Sequence, residues 1–207
     1  TYLIGVIHSL KGNTTLAEEH FRKALTEASK SDSLELISIY MDLANVMMDK
    51  EPKEAVKYID MAVDMAEQKD LPYQYSDAVA FKTIVAFVMH DWETVKQCHK
   101  LYTDVEKKAP DLFSHTFFKY ATIAMLTANE EYEEAVKMAD ELTNIDKYKF
   151  KMMIYEAAKD TAAAYNAQKE YTAIKDSITQ DIQSVDLQSA AHDLAVSDAL
   201  SDARRNK

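Results

Sequence analysis

Residues 12–25 read GNTTLAEEHFRKAL, and the spacing inside this stretch decides how the rest of the chain is to be folded. A Gly-Asn pair suited to a tight turn is followed by Ala17, Phe21 and Ala24, at i, i+4 and i+7. That spacing puts the three side chains on one face of an α-helix, and the two alanines let a partner helix come close on either side of one bulky ring. The stretch therefore predicts a turn leading into the second helix of a helical hairpin.

The pattern returns along the chain. DKEPKEAVKYIDMA (49–62) repeats it with Ala55, Ile59 and Ala62, and places Pro52 at a first-turn position where its missing N–H costs nothing. HDWETVKQCHKLY (90–102) supplies Trp92, Val95, His99 and Tyr102. NEEYEEAVKMADEL (129–142) supplies Tyr132, Ala135, Ala139 and Leu142, and KDTAAAYNAQKEY (159–171) supplies Asp160, Ala164, Gln168 and Tyr171. Each turn is preceded by a matching first helix, marked by Ile4, Gly5 and His8; Leu43, Ala44 and Met47; Phe81 to Phe87; Ile123, Ala124 and Leu126; and Tyr148 to Tyr155. With 2 Gly and 3 Pro in 207 residues the chain lacks the turn residues a sheet protein needs, and the fold class is all-α.

These hairpins resemble the tetratricopeptide repeat (TPR), a family of helix-turn-helix units, over about residues 1–177. The resemblance implies a right-handed α-α solenoid of about five hairpins, near 1–30, 34–70, 75–107, 111–144 and 146–177. A long C-terminal helix over 178–207 would cap or extend it. Intervals between the leading small positions, Ala17, Ala55, Val95, Ala135 and Ala164, are 38, 40, 40 and 29 residues, against about 34 for the family. Stretches such as KDLPYQ (69–74) and KKAPD (107–111) would absorb the longer intervals.

Within this frame, HDWET occupies the place of GNTTL and EEYEE, so Trp92 is read as the turn aromatic packing between hairpins. Cys98 and His99 then fall in a second helix, facing a core or a repeat interface. His90 and His99 lack the i, i+4 spacing of a helical metal pair, and adjacent Cys98 and His99 point to different faces, so neither a metal site nor a reactive thiol is expected. His8, His20, His115 and His192 read as isolated. No phosphate-binding glycine loop, HExxH, GxSxG or CxxC occurs, and paired glutamates such as Glu130 and Glu131 sit in helix first turns, where negative charge interacts well with unpaired N–H groups. The domain is read as non-catalytic and without a cofactor.

A formal charge of −11, spread along the chain, repels nucleic acid. The longest apolar run, IVAFVM (84–89), is far too short to cross a bilayer, so no membrane insertion is expected within the segment. The opening TYLIGVIHSL is already helix-periodic without an initiating Met, which reads as a piece of a longer protein. Arg204, Arg205 and Lys207 suit either a helix C-terminus or the flank of a membrane helix beyond Lys207. The run from Tyr171 through Lys175, Asp176 and Ser177 into a long helix looks like the TPR sensory regions of Bacteroidetes signalling proteins. That likeness implies a signal-input role ahead of a histidine kinase or DNA-binding output, on the cytoplasmic or periplasmic side, with the C-terminal helix also offering a route to a homodimer. The alternative is a passive scaffold.

Stacked hairpins place their first helices along an inner, concave surface. The repeat register assigns to it Met41, Asn45 and Met48; Phe81, Lys82 and Val85; Phe118 and Met125; and Lys149, Phe150 and Met153. Methionine and phenylalanine in successive helices suit an amphipathic helix or extended peptide, so an unidentified protein or peptide is the expected partner. A TPR-type Lys/Asn/Arg clamp for a C-terminal carboxylate is not carried over: Asn45 and Lys82 fall in the right helices, but the first hairpin lacks the leading Lys-x-x-x-Asn pair.

Overall fold

A computed structural model describes residues 1–28, 32–108 and 115–182. Nine helices run α1 (Tyr2–Leu10), α2 (Thr14–Glu27), α3 (Ser33–Met47), α4 (Pro52–Gln68), α5 (Pro72–Val88), α6 (Trp92–Lys108), α7 (His115–Ala128), α8 (Tyr132–Ala139) and α9 (Asn144–Ala157). A tenth, α10, covers 161–182 and passes without a break through 177. Most of the expected 178–207 extension lies outside the described residues. The first eight helices pair as four hairpins, α9 and α10 line a shared depression as the fifth, and each second helix from α2 to α8 also packs on the next first helix. First helices additionally touch one another, α1 on α3, α3 on α5, α5 on α7 and α7 on α9, so they form an inner layer. The described residues contain no strand.

Helix starts follow the local sequence. Asp32 accepts the Glu35 N–H at 3.0 Å, Asp91 accepts the Thr94 N–H at 3.1 Å, and Pro52 and Pro72 occupy the first positions of α4 and α5. The hairpin turns share a device that composition does not advertise. At the tips, Gly12, His90, Glu130 and Lys159 all take positive φ, of 72°, 57°, 66° and 61°. The residue after each donates its N–H back across the helix end: Asn13 to His8 O, Asp91 to Ala86 O, Glu131 to Leu126 O and Asp160 to Tyr155 O, each at 2.9 Å. This is the Schellman closure, which uses a left-handed residue to satisfy orphan carbonyls. Only one of the four is glycine. The second hairpin differs, closing through Glu51 N–H to Met47 O with Met48 right-handed.

A left-handed side chain costs about 1–2 kcal/mol, and glycine's extra unfolded-state freedom returns about 0.5–1 of that. Glu130→Gly is therefore expected to raise stability by about 0.5–1 kcal/mol in urea unfolding. Lys50→Gly, in the one turn without a left-handed residue at its tip, is expected to bring no gain. Equal effects at both would show that turn conformation is not the cause.

The leading small positions of the second helices are closed off: Ala17, Ala55, Val95 and Ala135 are fully buried, and Ala164 nearly so. Gly5 in α1 makes the close approach opposite Phe21, since a Cβ there would lie 2.7 Å from the Phe21 ring. The core is continuous from α1 to α9, and α5 is buried almost all round, including Ser76 and Thr83. Thr83 satisfies its hydroxyl by donating to Val79 O at 3.0 Å. At the opposite extreme, Leu3, Ile4, Ile7 and Leu10 leave an apolar stripe of α1 exposed.

Two tyrosine–aspartate pairs tie successive first helices together. Tyr2 of α1 donates to Asp42 of α3 at 2.7 Å, and Tyr120 of α7 donates to Asp146 of α9 at 3.0 Å. Burial, with Asp146 adjacent, pushes the Tyr120 phenol up to about 12. Burial also raises the Asp42 carboxyl, against the opposing pull of the Tyr2 hydrogen bond. In the folded chain Asp42 holds its proton to higher pH than when unfolded. The stability linked to that proton is full below the ordinary aspartate value of about 3.9 and is lost as pH rises through the raised one. Asp42→Asn keeps an acceptor for Tyr2 and cannot ionise. Relative to the parent, its urea midpoint is expected to gain between pH 4 and pH 7.5; parallel curves would dismiss Asp42 as a source of the pH dependence.

Candidate functional site: a cavity in the inner helix layer

The inner layer carries a cavity of about 150 Å³, open on one side and built from four successive hairpins. From α3 come Asn45 and Met48; from α5, Phe81, Ile84 and Val88. From α7 come Phe117 and Tyr120, and from α9, Asp146, Lys149, Phe150 and Met153. The aromatic wall is braced internally: Phe81 lies 5.6 Å from Phe117, and Phe150 lies 5.1 Å from Tyr120 and 5.7 Å from Phe87. Its charged groups are matched. Asp146 accepts hydrogen bonds from Tyr120 and from the Thr143 hydroxyl at 2.9 Å, and Lys149 Nζ donates to both carboxylate oxygens of Asp49, at 3.0 and 3.1 Å. Lys149 belongs to the fifth hairpin and Asp49 to the second, so the pair spans the inner face.

Of the residues assigned to the inner surface from sequence, Asn45, Met48, Phe81, Lys149, Phe150 and Met153 come together around this cavity. Asn45 is exposed at its edge, while Met48, Phe81, Phe150 and Met153 are largely buried in its walls. The other five lie elsewhere. Val85 is buried in the core, and Lys82 turns to Asp60 of α4 at 2.6 Å. Phe118 packs on Tyr102 of α6 at 5.9 Å, and Met41 and Met125 are half-buried. The cavity residues missed from sequence are Ile84, Val88, Phe117, Tyr120 and Asp146. The adjacent Phe117 and Phe118 both pack on the α5–α6–α7 core but meet different rings, Phe81 and Tyr102, and Tyr120, three residues on from Phe117, marks the cavity-facing member at helical spacing.

A larger depression, of about 360 Å³, lies between α9 and α10 and is walled by Tyr148, Lys151, Tyr155 and Lys169 among others. It belongs to one hairpin, is more polar, and its Lys151 is engaged by Asp140 at 2.7 Å.

Around Trp92 the chain is a turn. Trp92 opens α6 and its ring lies 5.8 Å from Phe87 and 5.3 Å from the left-handed His90. Cys98 is 4% exposed within the α5, α6 and α7 core, and burial raises its thiol pKa. The thiol is expected to react with a disulfide reagent at pH 8 at least a hundredfold more slowly in the native chain than in urea. Comparable rates would mean that α6 opens readily. His8 and His20, distant in the sequence, stack at 5.4 Å with their Nδ1 atoms buried and unbonded. Among the described residues no group of three or more His, Cys, Asp or Glu side chains is arranged to hold a metal ion, and no helix is long and apolar enough to cross a membrane.

No family model matches the chain, and no curated protein matches it. Solved structures do. BtubC (BKLC) from P. vanneervenii superposes with a TM-score of 0.51 at 14% identity, over 84% of this chain and 78% of that one. The nearly identical TPR-like repeats of a Podosopora anserina chain described as a kinesin light chain give 0.47 at 15% identity, over 84% and 92%. At such identity the likeness to BtubC is one of fold: an all-α solenoid of stacked helical hairpins.

Proposed function

We propose that this domain is a non-catalytic protein- or peptide-recognition module that binds its partner on the inner helix layer, as the signal-input region of a larger bacterial signalling protein. The binding reading is carried by one observation: four successive hairpins contribute side chains to one apolar cavity with an exposed amide, Asn45, at its edge. A mostly apolar concavity with a few oriented polar groups is the usual form of a recognition site. The fold presents such a surface without needing any reacting group. The signalling part of the proposal rests on the Tyr171 to Ser177 likeness and on α10, the second helix of the last hairpin, which continues past 177.

The test is selection of random 12-residue peptides on the full chain, followed by calorimetric titration. Enriched peptides are expected to bind at least tenfold more weakly to Asn45→Trp and equally well to Met61→Trp, since Met61 is exposed on α4. Failure to enrich any peptide, or equal loss at both substitutions, would refute inner-face recognition. Truncation after Ser177 tests the relay: unchanged binding and unchanged melting would remove residues 178–207 from it.

A further inference from the structure

We infer that the inner-face cavity is a socket for one bulky apolar side chain, Phe-like in size, presented by a peptide segment with basic residues beside that anchor. The inference rests on the reading of the inner layer as a recognition surface and specifies what enters it.

Size sets the first limit. A cavity of about 150 Å³ matches the space in which an engineered Leu/Ile/Phe-lined void takes up benzene. It holds one aromatic ring, and a helix, about 10 Å across, could not enter it and could offer it only a single side chain. The inner face is also bridged from hairpin five to hairpin two by Lys149 and Asp49, which argues against a helix lying along it.

The lining sets the second. Rings from Phe81, Phe117 and Phe150 and the thioethers of Met48 and Met153 favour an aromatic or long aliphatic group. The polar groups nearby set the third. Lys149 and Asp146 balance within the lining itself, and Asp49, beside the lining and bonded to Lys149, brings the sum of the three groups to one negative charge. With −11 on the chain as a whole, the approach favours cationic neighbours of the anchor. Asn45 offers one donor pair and one acceptor at the edge, which suits a peptide backbone better than a hydrocarbon ligand.

The experiment uses the full chain with its methionine methyl groups labelled with ¹³C, titrated by NMR with three capped tripeptides, Lys-Phe-Lys, Lys-Ala-Lys and Glu-Phe-Glu. Lys-Phe-Lys is expected to shift the Met48 and Met153 methyl signals and to leave Met61 in place. Lys-Ala-Lys and Glu-Phe-Glu are expected to bind at least tenfold more weakly. Val88→Phe, which puts a ring into the cavity from a half-buried position, is expected to weaken Lys-Phe-Lys at least tenfold. Equal shifts from Lys-Phe-Lys and Lys-Ala-Lys, or no shift at Met48 and Met153, would overturn the socket whatever the behaviour of the variant. If selected 12-residue peptides lose affinity at Asn45→Trp while the tripeptides fail in this way, recognition on the inner layer stands and the socket alone falls. A Glu-Phe-Glu response equal to that of Lys-Phe-Lys would overturn the basic flanks.

Discussion

Phe87→Ala is expected to lower the unfolding free energy by about 3–5 kcal/mol, the largest loss from any single substitution proposed for this chain. The ring is fully buried near the end of α5. Its neighbours are Trp92 at 5.8 Å, in its own hairpin, and Phe150 at 5.7 Å, two hairpins further on. Truncation removes the transfer energy of the ring and leaves a void that the braced aromatic wall is poorly able to close. It also deletes two aromatic pairs worth about 0.5–1.5 kcal/mol each beyond their buried area. A domain of this kind has about 5–15 kcal/mol to lose, so the variant should be marginal at 37 °C. Urea unfolding followed by tryptophan fluorescence reads the effect directly, because Trp92 is in contact with the deleted ring. Phe87→Leu should retain more than half of the difference. A loss below 1 kcal/mol for the alanine would mean that the α5–α9 packing is not as close as the ring distances require.

Ala55→Leu is expected to cost about 1–3 kcal/mol by the opposite route, overpacking. Ala55 is fully buried one turn into α4, on the face that α4 turns to the core. The third hairpin carries the larger Val95 at the matching place, also fully buried. Val95→Ala should therefore destabilise as well, by about 1–3 kcal/mol, from lost burial and the cavity left behind. Two substitutions of opposite sense, both harmful, separate a position that demands a fixed volume from one that merely tolerates small residues. If Ala55→Leu were neutral, the second hairpin would have to be loosely packed.

Much of this architecture could be read from side-chain size at helical spacing. Ala17, Phe21 and Ala24, Ala55, Ile59 and Ala62, and Ala135 with Ala139 are all buried, because i, i+4 and i+7 place them on the one face a hairpin must hide. The reading weakened where that contrast faded. In the fifth copy Asp160 and Gln168 are exposed, while Ala164 and Ala167 make the buried pair. The left-handed turn residues left no trace, since His90, Glu130 and Lys159 carry no chemical mark of positive φ. Their conformation is imposed by the helix-end hydrogen bonds on either side.

The inner cavity was legible in part and for a definable reason. Repeat register assigns a residue to the correct helix, but it does not say which way two adjacent bulky side chains turn, as Phe117 and Phe118 illustrate. Nor does it reveal pairing across hairpins. Lys82 reads as an inner-surface cation until Asp60 of the preceding helix is seen beside it. Tyr120 and Asp146 find each other across two helices separated by 26 residues, a pairing no local pattern announces.

The meeting of Lys149 with Asp49, 100 residues apart, and of Phe150 with Phe87 changes what sort of array this is. Arrays of this class are ordinarily modular: units touch only their immediate neighbours, and can be added or removed like links of a chain. Here excising the fourth unit would bring the fifth to the wrong partners, and duplicating it would carry Lys149 out of reach of Asp49. The second, third and fifth hairpins are thereby coupled beyond their neighbours, and their unfolding should proceed as one concerted event instead of unravelling link by link from an end.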